Sequence, residues 1–424
     1  MSADRPQVRA VHCDYQASDD QVYEALKRAT QPLERAWARL KKARRIGVKF
    51  NQAWPPNKVR RYEGQLQELV SEQVARATLR LLREETTAEL FCVEISVVAE
   101  DRNRDPWPTF TLLPLLREFD VPMVDGNQPP HKVSAVPGGG QMFRQYLVPQ
   151  DAVEADAFIS VQKMKNHAFM GVTLCLKNLF GLLPQEPHGR GRHYFHHLVR
   201  MPYMLADIGR VFDPALNIVD ALVGQAGREW GGQARVPNAL VAGDQVIATD
   251  ACATYLMGHD PQSDWLTPPF HRDRNPLLVA AEGGFGTVKP DEIDFQSEVQ
   301  APVAEFHTNV TDPLSRVVSW RRTTAEQALH YRDHWRQFVD KYAGEFILLQ
   351  EGQVRWHDKS SELRVSRRQL AGGSPDQAMW LKYVDPEEAE GEHYAVYEQA
   401  LAHVQDLERS GALSAGCSGN REDS

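Results

Sequence analysis

Cysteine is scarce in this 424-residue chain, and none of it is clustered. Cys13, Cys92, Cys175, Cys252 and Cys417 are scattered and odd in number, with no CxxC among them. That pattern argues against a disulfide framework and against a cysteine-only zinc or iron–sulfur site. No apolar run approaches the roughly 18 residues that a membrane span requires. The opening residues, MSADRPQVRAVHCDYQ, lack the basic-then-apolar layout of a signal peptide. There is no GxGxxG, Walker sequence, GxSxG elbow or HExxH, and the Gly-rich turn that ends at Gly286 is too short to hold a dinucleotide. An excess of positive charge is missing as well. The net charge of −9 argues against broad binding to nucleic acid or anionic membranes. Together these absences describe a reduced, cytoplasmic protein with neither a nucleic-acid nor a membrane partner.

What is present is ordinary globular material. Hydrophobic residues make up 42% of the chain and charged residues 25%, enough for a sizeable core and for two or three domains. Residues 20–44 read as a helix with a basic end. Strands are expected at 45–51, 90–98, 121–124, 157–161, 216–219 and 239–242. The amphipathic segment 64–84 carries Leu66, Leu69, Val70, Val74, Thr78 and Leu81 at helical spacing. Further helices are expected at about 108–119 and at 246–257. Alternating strands and helices imply an α/β fold: a mostly parallel sheet with helices on both faces. The composition changes near residue 303. A charged helix over 323–342 then leads to a β-hairpin at 345–356 around Glu351-Gly352, and two helices follow at about 361–371 and 386–408. The chain thus divides into an α/β domain (1–302), a small α+β subdomain (303–408) and a disordered tail (409–424).

Candidate functional residues gather where strands end, the usual ligand edge of an open α/β sheet. Lys49 and Asn51 close one strand. Lys163, Lys165 and His167 follow another at period two, so an extended backbone points all three the same way. Asp220 closes a third strand, ahead of Gly224, Gly227, Gly231 and Gly232. Lys177 and Asn178 sit in the otherwise apolar segment GVTLCLKNLFGLL, where a lysine either snorkels at the rim or is aimed into a pocket. Lysines around an imidazole suit an anionic ligand. A solvated basic turn is the bland alternative. The stretch HGRGRHYFHH places Arg190 and Arg192 on a glycine-rich segment suited to closing over an anion, with surface-loop status as the plain alternative. His193 and His197, four apart, are weak metal-ligand candidates. Asp244 suits a cap, while Asp250 falls mid-helix among small residues, where a carboxylate needs a partner.

In order and spacing these residues resemble the DUF362 family, bacterial and archaeal proteins of largely unknown function. The family pattern is a strand ending Lys-x-Asn, then Lys-x-Lys-x-His, Lys-Asn-Leu-x-Gly, a downstream histidine, a strand ending in Asp, and Gly-x-Asp before a small-residue helix. Here it is read at Lys49–Asn51, Lys163–His167, Lys177–Gly181, His193 or a neighbour, Asp220, and Gly243–Asp250. The resemblance covers about 45–290. It implies a site made of Lys49, Asn51, Lys163, Lys165, His167, Lys177, Asn178 and Asp220, and no established reaction. Many family members carry a ferredoxin-like module. This chain has no such iron–sulfur module, so the cofactor is left unknown. The C-terminal hairpin resembles small DUF5678-like domains over a short stretch.

The expected function is that of a small-molecule enzyme acting on a carboxylate or phosphate. His167, Lys165 and Lys177 would be catalytic, and Lys49, Asn51, Lys163, Asn178, Asp220, Arg190 and Arg192 would bind substrate. Redox or isomerisation chemistry with a bound cofactor falls within this class. The alternative is a non-catalytic carrier for an anionic metabolite or metal-bearing cofactor. The partner in either case is a small anionic molecule, with self-association left open.

Overall fold

The structure, a computed structural model, describes residues 5–54, 58–96, 109–185, 194–309, 312–361, 363, 366–374 and 376–410. They fall into two compact units. The first comprises 1–138, 146–184 and 205–309, and the second 139–145, 185–204 and 310–424. The C-terminal unit therefore draws in two earlier segments that a single division near residue 302 assigns to the first domain. Aromatic packing accounts for this within the second unit. The Phe143 and Tyr194 rings lie 6.1 Å apart, and Tyr194 lies edge-on to Phe346 at 5.7 Å.

The first unit is built on a ten-stranded sheet. Its strands are β1 (Gln7–His12), β2 (Arg45–Phe50), β3 (Glu89–Glu94), β4 (Met123–Asp125), β5 (Ala157–His167), β6 (Gly171–Thr173), β7 (Leu216–Ala226), β8 (Gln233–Arg235), β9 (Ala239–Gly243) and β10 (Asp294–Ser297). The order is β10-β1-β9-β7-β5-β2-β3-β4, with β6 paired to β5 and β8 to β7. From β7 to β4 every neighbouring pair is parallel. β9 joins β7 antiparallel, and β1 joins β9 antiparallel. Chain order runs outward from β2 through β3 to β4, then returns to β5 and runs outward again to β7. The strand order reverses between β2 and β5, the topological switch point at which open α/β sheets leave a crevice beyond the carboxyl ends.

Helices cover both faces. On one face α1 (Asp19–Thr30), α2 (Glu34–Leu40), α3 (Glu72–Glu85) and α4 (Leu113–Glu118) share a core with Ile46, Val48, Ile159, Val161 and Ile218. The other face carries the short α5 (Cys175–Asn178), α6 (Val246–Leu256) and α7 (Pro276–Glu282). Pro32 separates α1 from α2 where the sequence reads as one helix. The amphipathic segment 64–84 is helical only from residue 72. Ser71 caps that helix, its hydroxyl accepting from the Val74 N–H, and Gln65–Leu66 instead pairs with Arg61–Tyr62 in a two-residue ladder. Leu66, Leu69 and Val70 are buried all the same, so the apolar spacing reflects burial of a loop. β5 and β7 are each eleven residues long and buried throughout, more than twice the expected length.

The second unit contains α8 (Leu314–Asp333), α9 (Trp335–Tyr342), α10 (Ala395–Arg409) and the sheet β12-β11-β13, with β11 at Phe346–Gln350, β12 at Gln353–Asp358 and β13 at Trp380–Tyr383. The hairpin turns at Glu351-Gly352, both at positive φ, as the sequence indicates. The helix expected over 361–371 is a single turn at Arg367–Leu370. A helix runs to Arg409, and the tail from 411 lies outside the described residues. Among the described residues no helix is long and apolar enough to cross a membrane.

Candidate functional site at the strand switch point

The candidate residues divide between the two faces of the sheet. Alternation along β2 puts Lys49 opposite to Ile46, Val48 and Phe50, on the face carrying α5. There its Nζ lies 2.6 Å from Glu94 Oε2 and 3.2 Å from Asn178 Oδ1. Asn178 donates through Nδ2 to the Lys49 carbonyl, the Ser160 hydroxyl and the Val161 carbonyl. One amide thus ties β2 to β5 where the strand order reverses, and the crevice on this face is occupied by the protein's own side chains. Gly181 belongs to the same arrangement. A Cβ at that position would come within 2.9 Å of both Glu94 Oε1 and Lys49 Cε.

Lys163 shares the opposite face with Ile159 and Val161. Asp220 is its register partner on β7, and Nζ lies 2.8 Å from Asp220 Oδ2 with both side chains fully buried. Burial pulls this ammonium below its ordinary value against the attraction of Asp220. Asp220 Oδ2 also accepts the N–H of Ser71, the cap of α3, and Oδ1 accepts that of Leu222. Lys49 and Lys163 are therefore each neutralised internally, on different faces.

Beyond Lys163 the register with β7 shifts, pairing Lys165 with Gln225, and β5 continues as one arm of a hairpin with β6, where Lys165 faces Thr173 and His167 faces Gly171. Lys165 Nζ donates to the Glu68 carbonyl at 2.7 Å and Asn51 Oδ1 at 3.1 Å, and lies 4.5 Å from the centre of the Trp230 ring. Trp230 in turn stacks on Trp54, centroids 3.9 Å apart. All the acceptors of this amine are neutral. Burial brings it down to about 7, Glu229 and Glu68 oppose that shift, and Lys177 reinforces it.

His167 is also buried. Its Nδ1 accepts the N–H groups of Phe169 at 3.0 Å and Met170 at 3.1 Å, which leaves the ring proton on Nε2. Burial holds the imidazole down to about 3 despite Glu229, and Lys177 and Lys165 add to the effect. Glu229 Oε2 lies 3.7 Å from Nδ1 and accepts the Ala168 N–H at 2.9 Å. Burial works against its ionisation, but the imidazole, the Ala168 N–H and the Lys177 charge hold it ionised, at about 2. Lys177 is half-buried on α5, with Nζ 4.2 Å from the Phe180 ring centre.

The structure brings together Asn51, Lys165, His167 and Lys177, and adds Glu68, Glu229, Trp54 and Trp230. The last four were missed. Glu229 and Trp230 stand in the glycine-rich stretch after β7, and an isolated acid and an aromatic there were the available signal. Asp250 has no lysine partner. It accepts the N–H groups of Cys175 at 2.9 Å and Leu176 at 2.7 Å, and burial pushes it up to about 7. Arg190, Arg192 and His193 lie outside the described residues. His197 belongs to the second unit, where its Nε2 meets the Met379 carbonyl at 3.0 Å and Nδ1 the Leu198 carbonyl at 3.3 Å. Among the described residues no three His, Cys, Asp or Glu side chains are grouped to hold a metal ion.

Residues 56–255 match the family model described as Domain of unknown function (DUF362). The chain carries a DUF362 domain. The match includes Lys163 through Asp250, while Lys49 and Asn51 fall just upstream of it. Part of the chain is also similar to thylakoid-associated protein sll1697 of Synechocystis sp., at 28% identity over 155 residues, 35% of this chain and 46% of that protein. The aligned stretch thus spans about half the length of that relative. Among solved structures, the lactate racemase apoprotein from Thermoanaerobacterium thermosaccharolyticum is similar at 15% identity with a TM-score of 0.32, over 51% of this chain and 50% of that chain.

Proposed function

We propose that the DUF362 domain is a proton-transfer enzyme for a small anionic metabolite, working at the β5–β6 hairpin. The observation that carries the reading is the Lys165 amine, buried among the neutral acceptors Asn51 Oδ1 and Glu68 O and a Trp230 ring face, two residues from a buried neutral imidazole. An amine near pH 7 takes or gives a proton with little driving-force penalty. Neutral Lys165 would remove a proton from the substrate, becoming ammonium, and return it at a neighbouring atom, an isomerisation that balances without a co-reactant. The Nε2–H of His167 would donate to the oxygen on which negative charge develops. Lys177, whose charge reaches both groups, would hold the anionic end of the substrate. The four free, buried cysteines among the described residues suit a reducing compartment, in which we place this chemistry.

The test is solvent exchange. The full chain is incubated in D2O with a panel of small carboxylates and phosphate esters, and deuterium uptake is followed by mass spectrometry. Uptake into one compound that is lost in Lys165→Met supports the reading. Binding of a compound that is returned without deuterium supports the carrier alternative and overturns the enzyme.

A further inference from the structure

Of the groups around the Lys165 amine, Trp230 is the largest. Its ring centre lies 4.5 Å from Nζ, and the indole is half-buried where the lysine is 1% exposed. An apolar ring of that size keeps water from the amine on its side. Its neighbours in sequence hold it there. Glu229 accepts the Ala168 N–H, and the Gly231 N–H donates to the Glu68 carboxylate at 2.5 Å, while the Glu68 carbonyl accepts Lys165 Nζ. The residues on both sides of Trp230 are thus bonded to the hairpin or to the group that holds the amine. Trp54 stacks within 10° of parallel and fixes the plane of the indole, and its own backbone N–H donates to the Thr109 carbonyl at 3.0 Å.

An indole in this position acts on the amine in two opposed ways. It excludes water, which favours the neutral form. Its π face attracts a cation, which favours the ammonium by about 2- to 30-fold in an equilibrium constant. The charged groups that also face the amine are Glu229 and Glu68 on the adjoining loops, Lys177 on α5 and Lys163 on β5. They stay in place when only the ring is changed. A base that must return its proton needs both of its forms accommodated, and the ring serves both.

We infer that Trp230 is a positioning residue that sets the proton affinity of Lys165, shutting out water and offering the ammonium a π face, with Trp54 holding the ring in place. The catalytic meaning of the inference rests on the proton-transfer reading of Lys165, but its test needs no turnover. Lysines of the full chain are labelled with carbon-13 at Cε, and the Lys165 signal is assigned by its absence from Lys165→Met. Its shift is then followed by NMR from about pH 5 to pH 11, a range that spans buried and ordinary lysines.

Trp230→Leu keeps an apolar cover and removes the π face, so the acid dissociation constant of Lys165 should rise about 2- to 30-fold. Trp230→Ala admits water, so the midpoint should move the other way, toward the ordinary lysine value of 10.5. Trp230→Phe restores cover and face together and should stay within about threefold of the native protein. Opposite shifts in the leucine and alanine variants support the inference. Shifts in the same direction, or an unmoved midpoint, overturn it. Should Trp230→Ala not fold, the leucine and phenylalanine variants decide alone, and equal midpoints in those two overturn the inference.

Deuterium uptake keeps the two readings apart. Midpoints that shift as stated in a chain without uptake support the role of Trp230 and remove the proton-transfer reading. Uptake that is lost in Lys165→Met while the midpoint ignores Trp230 does the reverse.

Discussion

Asp220 Oδ2 lies 2.8 Å from Lys163 Nζ, with both side chains fully buried, and the same oxygen accepts the backbone N–H of Ser71 at 2.7 Å. The carboxylate joins the parallel pair β5–β7 to the start of α3. Removing it strands a buried ammonium and an uncapped helix N–H together. Asp220→Ala should lower stability by about 3–5 kcal/mol, the usual cost of breaking a buried pair. Lys163→Met combined with Asp220→Leu should recover part of that loss. Urea midpoints of the two variants make the comparison.

Lys165 should give stability a pH dependence above neutrality. Its folded value of about 7 lies below the ordinary lysine value of 10.5, so the unfolded chain binds more protons between those limits. Stability from this group therefore rises as pH climbs from 7 to 10.5 and is missing below 7. Lys165→Met should flatten that rise. Denaturant unfolding of both proteins at pH 7 and pH 10 reads the difference.

Asp250 should behave in the opposite sense. Burial lifts it to about 7 from an ordinary 3.8, so the folded state keeps a proton that the unfolded chain releases. Its contribution is complete below 3.8 and is lost as pH rises through 7. In Asp250→Asn one acceptor oxygen must serve the N–H groups of Cys175 and Leu176, a loss of about 1–3 kcal/mol. That loss should be largest at pH 4 and shrink by pH 8, as thermal melts at the two pH values will show.

The second unit has a comparable keystone in Glu392. Its carboxylate takes Arg200 at 3.0 Å, Lys382 at 2.8 Å and the Tyr397 hydroxyl at 2.7 Å, all out of solvent. Glu392→Ala strands the buried Arg200 guanidinium and leaves Lys382 with Glu388 alone at 3.0 Å, and should cost about 3–5 kcal/mol. Glu392→Gln, which keeps the shape, should cost less. The order of the two melting temperatures tests the charge against the packing.

Much of this was legible in sequence. Strand-and-helix alternation disclosed the parallel core, and period-two spacing aligned Lys163, Lys165 and His167. Their separation from Lys49 was not legible. Which face a side chain takes depends on strand register, and Lys49 and Lys163 lie on opposite faces of neighbouring strands. The partners were hidden for a related reason. Glu94, Glu68 and Glu229 come from three separate segments, and nothing local marks an acid as the neighbour of a lysine or histidine 45 or more positions away. The helix assigned to 64–70 failed because apolar spacing records burial, and here the burial belongs to a loop.

The length of β5 has a hereditary consequence. Lys163, Lys165 and His167 alternate with Gln162, Met164 and Asn166, and all six are buried. Inserting or deleting one residue upstream in the strand would exchange these two sets and turn all of the chemistry to the wrong side. A single-codon insertion or deletion within 157–167 should therefore abolish the proposed activity, and only paired insertions or deletions would preserve the phase of the strand.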